Sequence, residues 1–418
     1  MKRRDFLAAG AALAGLPRAA PALLRARAGG LLVPMDDGQA QHLKAYGVAW
    51  RVLDRGGRGE WLLNFRGGAF LLPDDPEVER DAALAGVTLE RVGAAADAGI
   101  RATIAESNAD AIPLEKAPKM AVYVPPNVAP WDDAVTMALE YAGIRYEKLW
   151  DDEVLAGRLP TFDWLHLHHE DFTGQFSKFY LTYAGAPWLQ EMVRQNEETA
   201  RRHGYPHVPA LKRAVAEGLA AYVEQGGFLF AMCTATETLD LALASAGVDI
   251  AASYADRTPM DPDAASRLAW GRALAFQGAD LEPSPTVAQF SDIDGHQVNA
   301  PARRQPLGAF ELFGFAAKID PVPTMLVQNH RQVLPDFYGL TTSFRRDRLQ
   351  PGVTVLAEEA GAPWVKYIHG SRGKGTWTFY GGHDPEDPQH AIGDAPTDLS
   401  THPSSPGYRL ILNNVLFP

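Results

Sequence analysis

The sequence predicts an α/β protein: a three-layer sandwich with a mostly parallel central sheet, an N-terminal α/β portion and irregular insertions. Three observations predict it. Short, apolar, β-prone runs alternate with segments whose apolar residues recur at helical spacing. Several runs stop abruptly at acids, histidines or the single cysteine, as parallel strands do when their ends share a functional edge. No apolar run reaches the ~18 residues of a membrane span, so the 46% apolar content is expected in a buried core with no stable membrane insertion.

The start of the chain stands apart from that fold. "MKRRDFLAAGAALAGLP" has a basic opening, the pair Arg3-Arg4 and a short small-apolar segment, and Ala26–Ala28 supplies a small-x-small cleavage site. Residues 1–28 therefore resemble a twin-arginine signal peptide, which predicts a periplasmic or secreted protein exported already folded. They hold six Lys/Arg and one Asp, a net of +5, so the remainder carries −17 against −12 for the whole chain. An acidic protein of this kind excludes nucleic acid and anionic lipid as expected partners and leaves a small molecule. One cysteine allows no intrachain disulfide, so packing must supply the stability.

Residues 29–115 form the N-terminal α/β portion. "LLVPMDD" reads as a buried strand running into Asp36 and Asp37, acids that either line a cleft or cap the next helix. "AQHLKAYGVAWRVLDRGG" has helical spacing, "EWLLNF" is a second strand followed by the turn "RGG", and "VTLERVGAAADAGIRATIAE" is a strand and helix. This β-α-β alternation favours a parallel sheet. The polar "LEKAPKM" marks the boundary to residues 116–418.

There "MAVYVPP" is a strand, and a helix from Asp132 is stopped by Gly143. "RYEKLW" is a short strand and "TFDWLHLHHED" a strand ending in a polar cluster. Residues 172–208 are an aromatic-rich insertion. The helix "PALKRAVAEGLAAYVEQGG" keeps Leu211, Val215, Leu219 and Tyr222 on one face and ends at Gly226. After the strand Phe228–Met232, the second insertion, 251–348, has no regular pattern. "PWVKYIHGSRGKGTWTFYGGHDPED" is two strands joined by a Gly-rich turn, for which a hairpin is favoured over a phosphate cradle, and "SPGYRLILNNVLFP" is a closing helix.

Cys233 occupies the turn from the strand Phe228–Met232 into the next helix. Thr234 and Glu237 fit a capping box there, and the helix N-terminus favours a thiolate. The competing reading is a buried small hydrophobe, the usual role of a free cysteine. In the chemical reading Cys233 is an exposed nucleophile and the Thr234 amide donates to an oxyanion.

In the cluster His166 to Asp171, strand alternation puts His166 and His168 on one face and His169 on the other. No metal need be present; if one is, a divalent ion such as zinc or iron would take His166, His168 and His383. His169, Glu170 and Asp171, at the strand's carboxyl end, either orient a substrate or serve structure. Trp131, Trp164, Trp188, Tyr180 and Tyr183 suit stacking on a sugar or simply filling a core.

"AMCTA" between strand and helix resembles the nucleophile elbow of the class I glutamine amidotransferase-like superfamily, which has a flavodoxin-like sandwich. "PWVKYIHGSRGKGTWTFYGGHD" with "RLILNNVLF" looks like the end of its trehalose-utilisation-like members. "LHLHHEDFTGQ" and "YGGHDPED" are shared with bacterial proteins that circulate as "asparagine synthetase B". The N-terminal cysteine and S-G-G-x-D-S loop of that enzyme are missing here. The resemblance implies a Cys233–His383 hydrolase of a small amide or amide-bearing sugar. The orienting acid is Asp384 or Glu386, one or three places after the histidine rather than two, or else Glu170. Two other readings stand beside it: a carbohydrate-binding or carbohydrate-modifying protein with Cys233 a bystander, and a non-enzymatic periplasmic receptor.

Overall fold

The computed structural model describes residues 29–126, 133–294, 307–389 and 393–416; the leader expected over 1–28, Trp131 and Asp132 lie outside them. The protein is a mixed α/β structure built on two sheets.

The first sheet contains β1 (Gly30–Val33), β2 (Gly59–Leu63), β3 (Ala69–Pro73), β4 (Glu90–Val92) and β5 (Asp110–Leu114), in the order β4-β1-β3-β2-β5. Every pairing in it is antiparallel, which corrects the expected parallel arrangement. The cause is β3, "AFLLP", which follows the "RGG" turn and inserts between β1 and β2, reversing the chain direction between them. Helices α1 (His42–Asp54), α2 (Pro76–Ala85) and α3 (Ala94–Glu106) join these strands. Alternation along the strands divides their side chains between two faces. Leu32, Leu62, Ala69 and Leu71 pack with Ile104 of α3, while Leu31, Val33, Trp61, Phe70 and Leu72 face α1.

The second sheet has a parallel half and an antiparallel half. β6 (Met120–Tyr123), β7 (Glu147–Leu149), β8 (Trp164–Leu167), β9 (Phe228–Met232) and β15 (Gly375–Tyr380) run parallel in the order β7-β6-β8-β9-β15. Beyond β15 the sheet continues antiparallel through β14 (Trp364–Arg372), β13 (Thr354–Glu359), β10 (Ala309–Leu312) and β11 (Val333–Pro335), with β12 (Phe344–Arg345) beside β14. A mostly parallel sheet was expected; the hairpin β14–β15 sets the opposite direction for the added strands. Its turn is Gly373-Lys374, with Gly373 at φ 61°, so "GSRGKG" is a hairpin.

Helices α4 (Ala134–Ala142) and α12 (Pro406–Asn413) lie with α1 between the two sheets, in one apolar cluster that includes Val122, Trp164, Phe230, Met232 and Tyr380. The opposite face of the second sheet, Leu165, Leu167, Leu229, Ala231 and Phe379, packs on α7 (Val208–Gln225) and α8 (Thr234–Ala244). α7 buries Leu211, Val215, Leu219 and Tyr222 and stops at Gly226, φ 120°, as its spacing predicts. The other α-helices among the described residues are α5 (Asp151–Leu155), α6 (Pro187–Arg202) and the short α9 (Ser253–Asp256), α10 (Ala264–Arg267) and α11 (Pro321–Leu326). Trp164 is core, and Tyr180, Tyr183 and Trp188 are partly buried against the α7 side.

Candidate functional site: a thiol beside a histidine cluster

Register decides what meets at the sheet edge. Leu167 of β8 pairs with Ala231 of β9, and Tyr380 of β15 pairs with Met232. The chain leaving each parallel strand therefore delivers His168, Cys233 and His383 to one place.

Cys233 is the N-cap of α8 and sits at φ 52°, ψ −138°. A β-carbon in this left-handed half of backbone space costs about 1–3 kcal/mol, and such strain persists only where surrounding bonds impose it. Here the Ala235 amide donates to the His168 carbonyl at 2.9 Å, and Thr236 donates to the Cys233 carbonyl through N–H (3.2 Å) and Oγ1 (2.7 Å). The expected capping box does not form. Glu237 turns away from the helix start and accepts from Ser291 Oγ (2.6 Å) and Thr341 Oγ1 (3.1 Å). Thr234 lies beside the thiol, its Oγ1 3.8 Å from Sγ.

The sulfur is not exposed as expected: Cys233 is 1% accessible. The loop before β12 covers it, and the Leu340 N–H donates to Sγ at 3.4 Å. Burial pushes the thiol up, but the hydrogen bond and charge of the His383 imidazole, then the His168 charge and the Leu340 amide, outweigh it and bring it down to about 6. The cover fits closely. A β-carbon on Gly339 would lie 2.8 Å from the Gly382 and His383 backbone, and one on Gly381 2.4 Å from the Thr342 carbonyl.

Burial, offset in part by the Ser291 and Thr341 hydroxyls, raises the Glu237 carboxyl to about 7. Between its ordinary range and pH 7 the folded protein thus binds a proton that the unfolded chain releases. Stability falls as pH rises through that window, by an amount on the order of a few kcal/mol. Glu237→Gln, which mimics the protonated acid, should flatten this part of the curve in urea melts from pH 4.5 to 8. An unchanged slope would remove Glu237 as its source.

His168, His169 and His383 form a cluster, with His383 ring centroids 4.6 Å from His168 and 5.8 Å from His169. The expectation that His169 points to the other face is corrected. β8 ends at Leu167, so strand alternation no longer governs residues 168 and 169. His166 in turn is engaged elsewhere. Its Nδ1 bonds the Phe230 carbonyl (3.1 Å) and its Nε2 faces Asp133 Oδ1 (3.4 Å), so it groups with Asp133 and His168, whose nearest donor atoms lie within 4.8 Å of its own, and not with His383 as expected.

Asp133, missed in the sequence, is the acid that meets the imidazoles. It caps α4, accepting from Val135 and Thr136 amides at 2.8 and 3.0 Å, and stands 3.2 Å from His168 Nδ1. Burial works against its charge, yet His166 and His168 hold the carboxyl well below its usual range. Its only signal was a helix-start position.

The other expected acids have contacts of their own. Glu386 pairs with His402 at 2.9 Å, which draws it away from His383. Asp384 is fully buried and accepts from the Glu386 amide at 2.9 Å. Glu170 accepts from the His168 amide at 2.8 Å, and burial raises it to about 8. Asp171 organises its own turn, accepting from Thr173 and Ser177 amides at 2.8 and 2.9 Å. Asp36 and Asp37 do not join the site, because β1 belongs to the other sheet; Asp36 is paired with Arg66 at 2.6 Å and Asp37 faces Arg331 at 3.3 Å.

A narrow cavity of about 50 Å³ lies against His169, Glu170 and Asp171, walled by Trp150, Lys212 and Ser177. Its wall includes a strained turn, with Phe176, Ser177 and Lys178 all near φ 53°. Lys178 Nζ fastens that turn to the Glu282 and Gln289 carbonyls at 2.6 Å each.

No protein family matches the sequence, and no curated protein does. Two solved structures from Salmonella typhimurium are similar at a distance. Cytoplasmic protein STM3548 has 10% identity and a TM-score of 0.33, with 71% of this chain and 97% of that one covered. Cytoplasmic protein STM1381 has 11% identity and a TM-score of 0.36, with 71% and 98% covered. Similarity this weak carries no argument about what the chain does.

Proposed function

We propose that this chain is an exported hydrolase that cleaves the C–N bond of a small amide or amide-bearing sugar, with Cys233 as nucleophile. The observation that carries this reading is Cys233 itself: a non-glycine residue held at φ 52° where a parallel strand meets a helix N-terminus, with His383 delivered beside it by the next strand. The accompanying fold assignment is the class I glutamine amidotransferase-like sandwich; five parallel strands with helices against both faces support it.

The thiolate attacks the carbonyl carbon, and the C=O electron pair moves to oxygen beside the Thr234 amide at the α8 N-terminus, the next two amides being engaged with the His168 and Cys233 carbonyls. Collapse breaks the C–N bond, and His383 gives its proton to the departing amine. A water then loses a proton to His383 and attacks the thioester, releasing the acid and restoring the thiol. Substrate can arrive only when the Gly339–Thr342 segment lifts from the sulfur.

The test is amine release from a panel of small primary amides and N-acylated sugars, with intact-mass detection of an acyl adduct. Cys233→Ser should reduce turnover at least about 10³-fold and abolish the adduct. A folded serine variant that keeps its turnover would end this reading.

A further inference from the structure

We propose that His168, His169 and His383 form a binding site for a divalent cation of the zinc class. Their nearest ring nitrogens all lie within 4.8 Å of one another, and all three side chains are buried. A tetrahedral zinc with bonds of 2.0–2.1 Å holds its donors about 3.3 Å apart, so closure needs shifts of about 1 Å or less per ring.

Two independent features point to a ligand there. His168 Nε2 is fully buried and has no hydrogen-bond partner among the described residues, a costly condition for a polar atom unless something binds it. On the same ring, Nδ1 faces Asp133 Oδ1 at 3.2 Å. That contact lacks the alignment of a hydrogen bond, but the carboxylate charge beside Nδ1 favours a proton there, which leaves Nε2 to a metal. Asp133 is a positioning residue here, fixed in turn by the α4 amides it caps. Three imidazoles leave a fourth position open for water or substrate.

The site shares His383 with the proposed hydrolase, and one consequence rests on that reading: a metal-bound His383 cannot accept a proton, so the loaded protein would be silent until the ion leaves. The binding itself does not depend on it.

Chelator-stripped full-length protein should bind one zinc per chain in calorimetry, and cobalt(II) should give the visible absorption of a tetrahedral site. His169→Ala should weaken zinc at least about 100-fold, and Asp133→Asn by about 10–100-fold with stoichiometry kept. Circular dichroism guards against loss of fold. Cys233→Ser should bind zinc like the parent. Absence of stoichiometric binding by the parent, or unchanged affinity in folded His169→Ala, overturns the site. Loss of binding in Cys233→Ser overturns this ligand set. If Cys233→Ser keeps hydrolytic turnover while zinc binding follows the histidines, the hydrolase reading fails and the metal site stands.

Discussion

Lys366→Met should lower stability by about 3–5 kcal/mol and at the same time open Cys233 to alkylation. Lys366 rises from β14 into a buried position where Nζ meets Asp336 Oδ1 at 2.5 Å. It also donates to the Phe337 carbonyl at 2.7 Å and the Thr342 carbonyl at 2.8 Å, and lies 3.9 Å from the Phe337 ring centre. One ammonium thus ties down both ends of the segment whose middle, Leu340, covers the thiol. Methionine keeps the volume of the stem but leaves the Asp336 carboxylate buried without its cation. Urea midpoints read the first effect and iodoacetamide labelling of Cys233 the second. Adding Asp336→Asn removes the stranded charge and should recover part of the stability while labelling stays fast. If Lys366→Met labels no faster than the parent, the cover is held by something else.

Arg409→Met should cost a similar amount, about 3–5 kcal/mol. The guanidinium projects from α12 into the layer between the sheets and is fully buried. It donates to the Met35 carbonyl at 2.8 Å, to the Gly67 carbonyl and to Tyr46 Oη at 3.2 Å, and it lies 3.3 Å from His330 Nδ1. It therefore fastens the C-terminal helix to the turns of the first sheet, and methionine would strand acceptors in a dry interior. A second readout is available. Burial first, and then the Arg409 charge, hold His42 at about 3 and His330 at about 4. In Arg409→Met both should titrate at higher pH by NMR, though still below an ordinary histidine because burial remains. Unmoved titrations would mean that the cation does not act on the stacked pair His42–His330.

Local rules found much of this structure. The β9–α8 turn and the β14–β15 hairpin are short-range features, visible from apolar runs, a glycine pair and helical spacing. They placed Cys233 and His383 at one edge. What escaped was non-local. "AFLLP" looks like the tail of a turn until it is seen pairing with both β1 and β2 in a sheet of their own, the one whose β1 leads into Asp36 and Asp37. Asp133 sits in a helix-cap position common to many chains, so its role emerges only when β8 brings His166 and His168 beside α4. Leu340 contributes a backbone N–H, which no side-chain pattern reveals. His169 was misplaced because a two-residue alternation was carried past the last paired residue of β8.

The cover over Cys233 also bears on how the protein ages. A low-pKa thiolate is the form that peroxide and foreign disulfides attack most readily, and no second cysteine exists to rescue a sulfenic acid by forming an internal bridge. With Leu340 seated, an oxidant reaches the sulfur only during brief excursions of the segment. Oxidative loss should then follow the fraction of time spent uncovered rather than the reactivity of the sulfur itself.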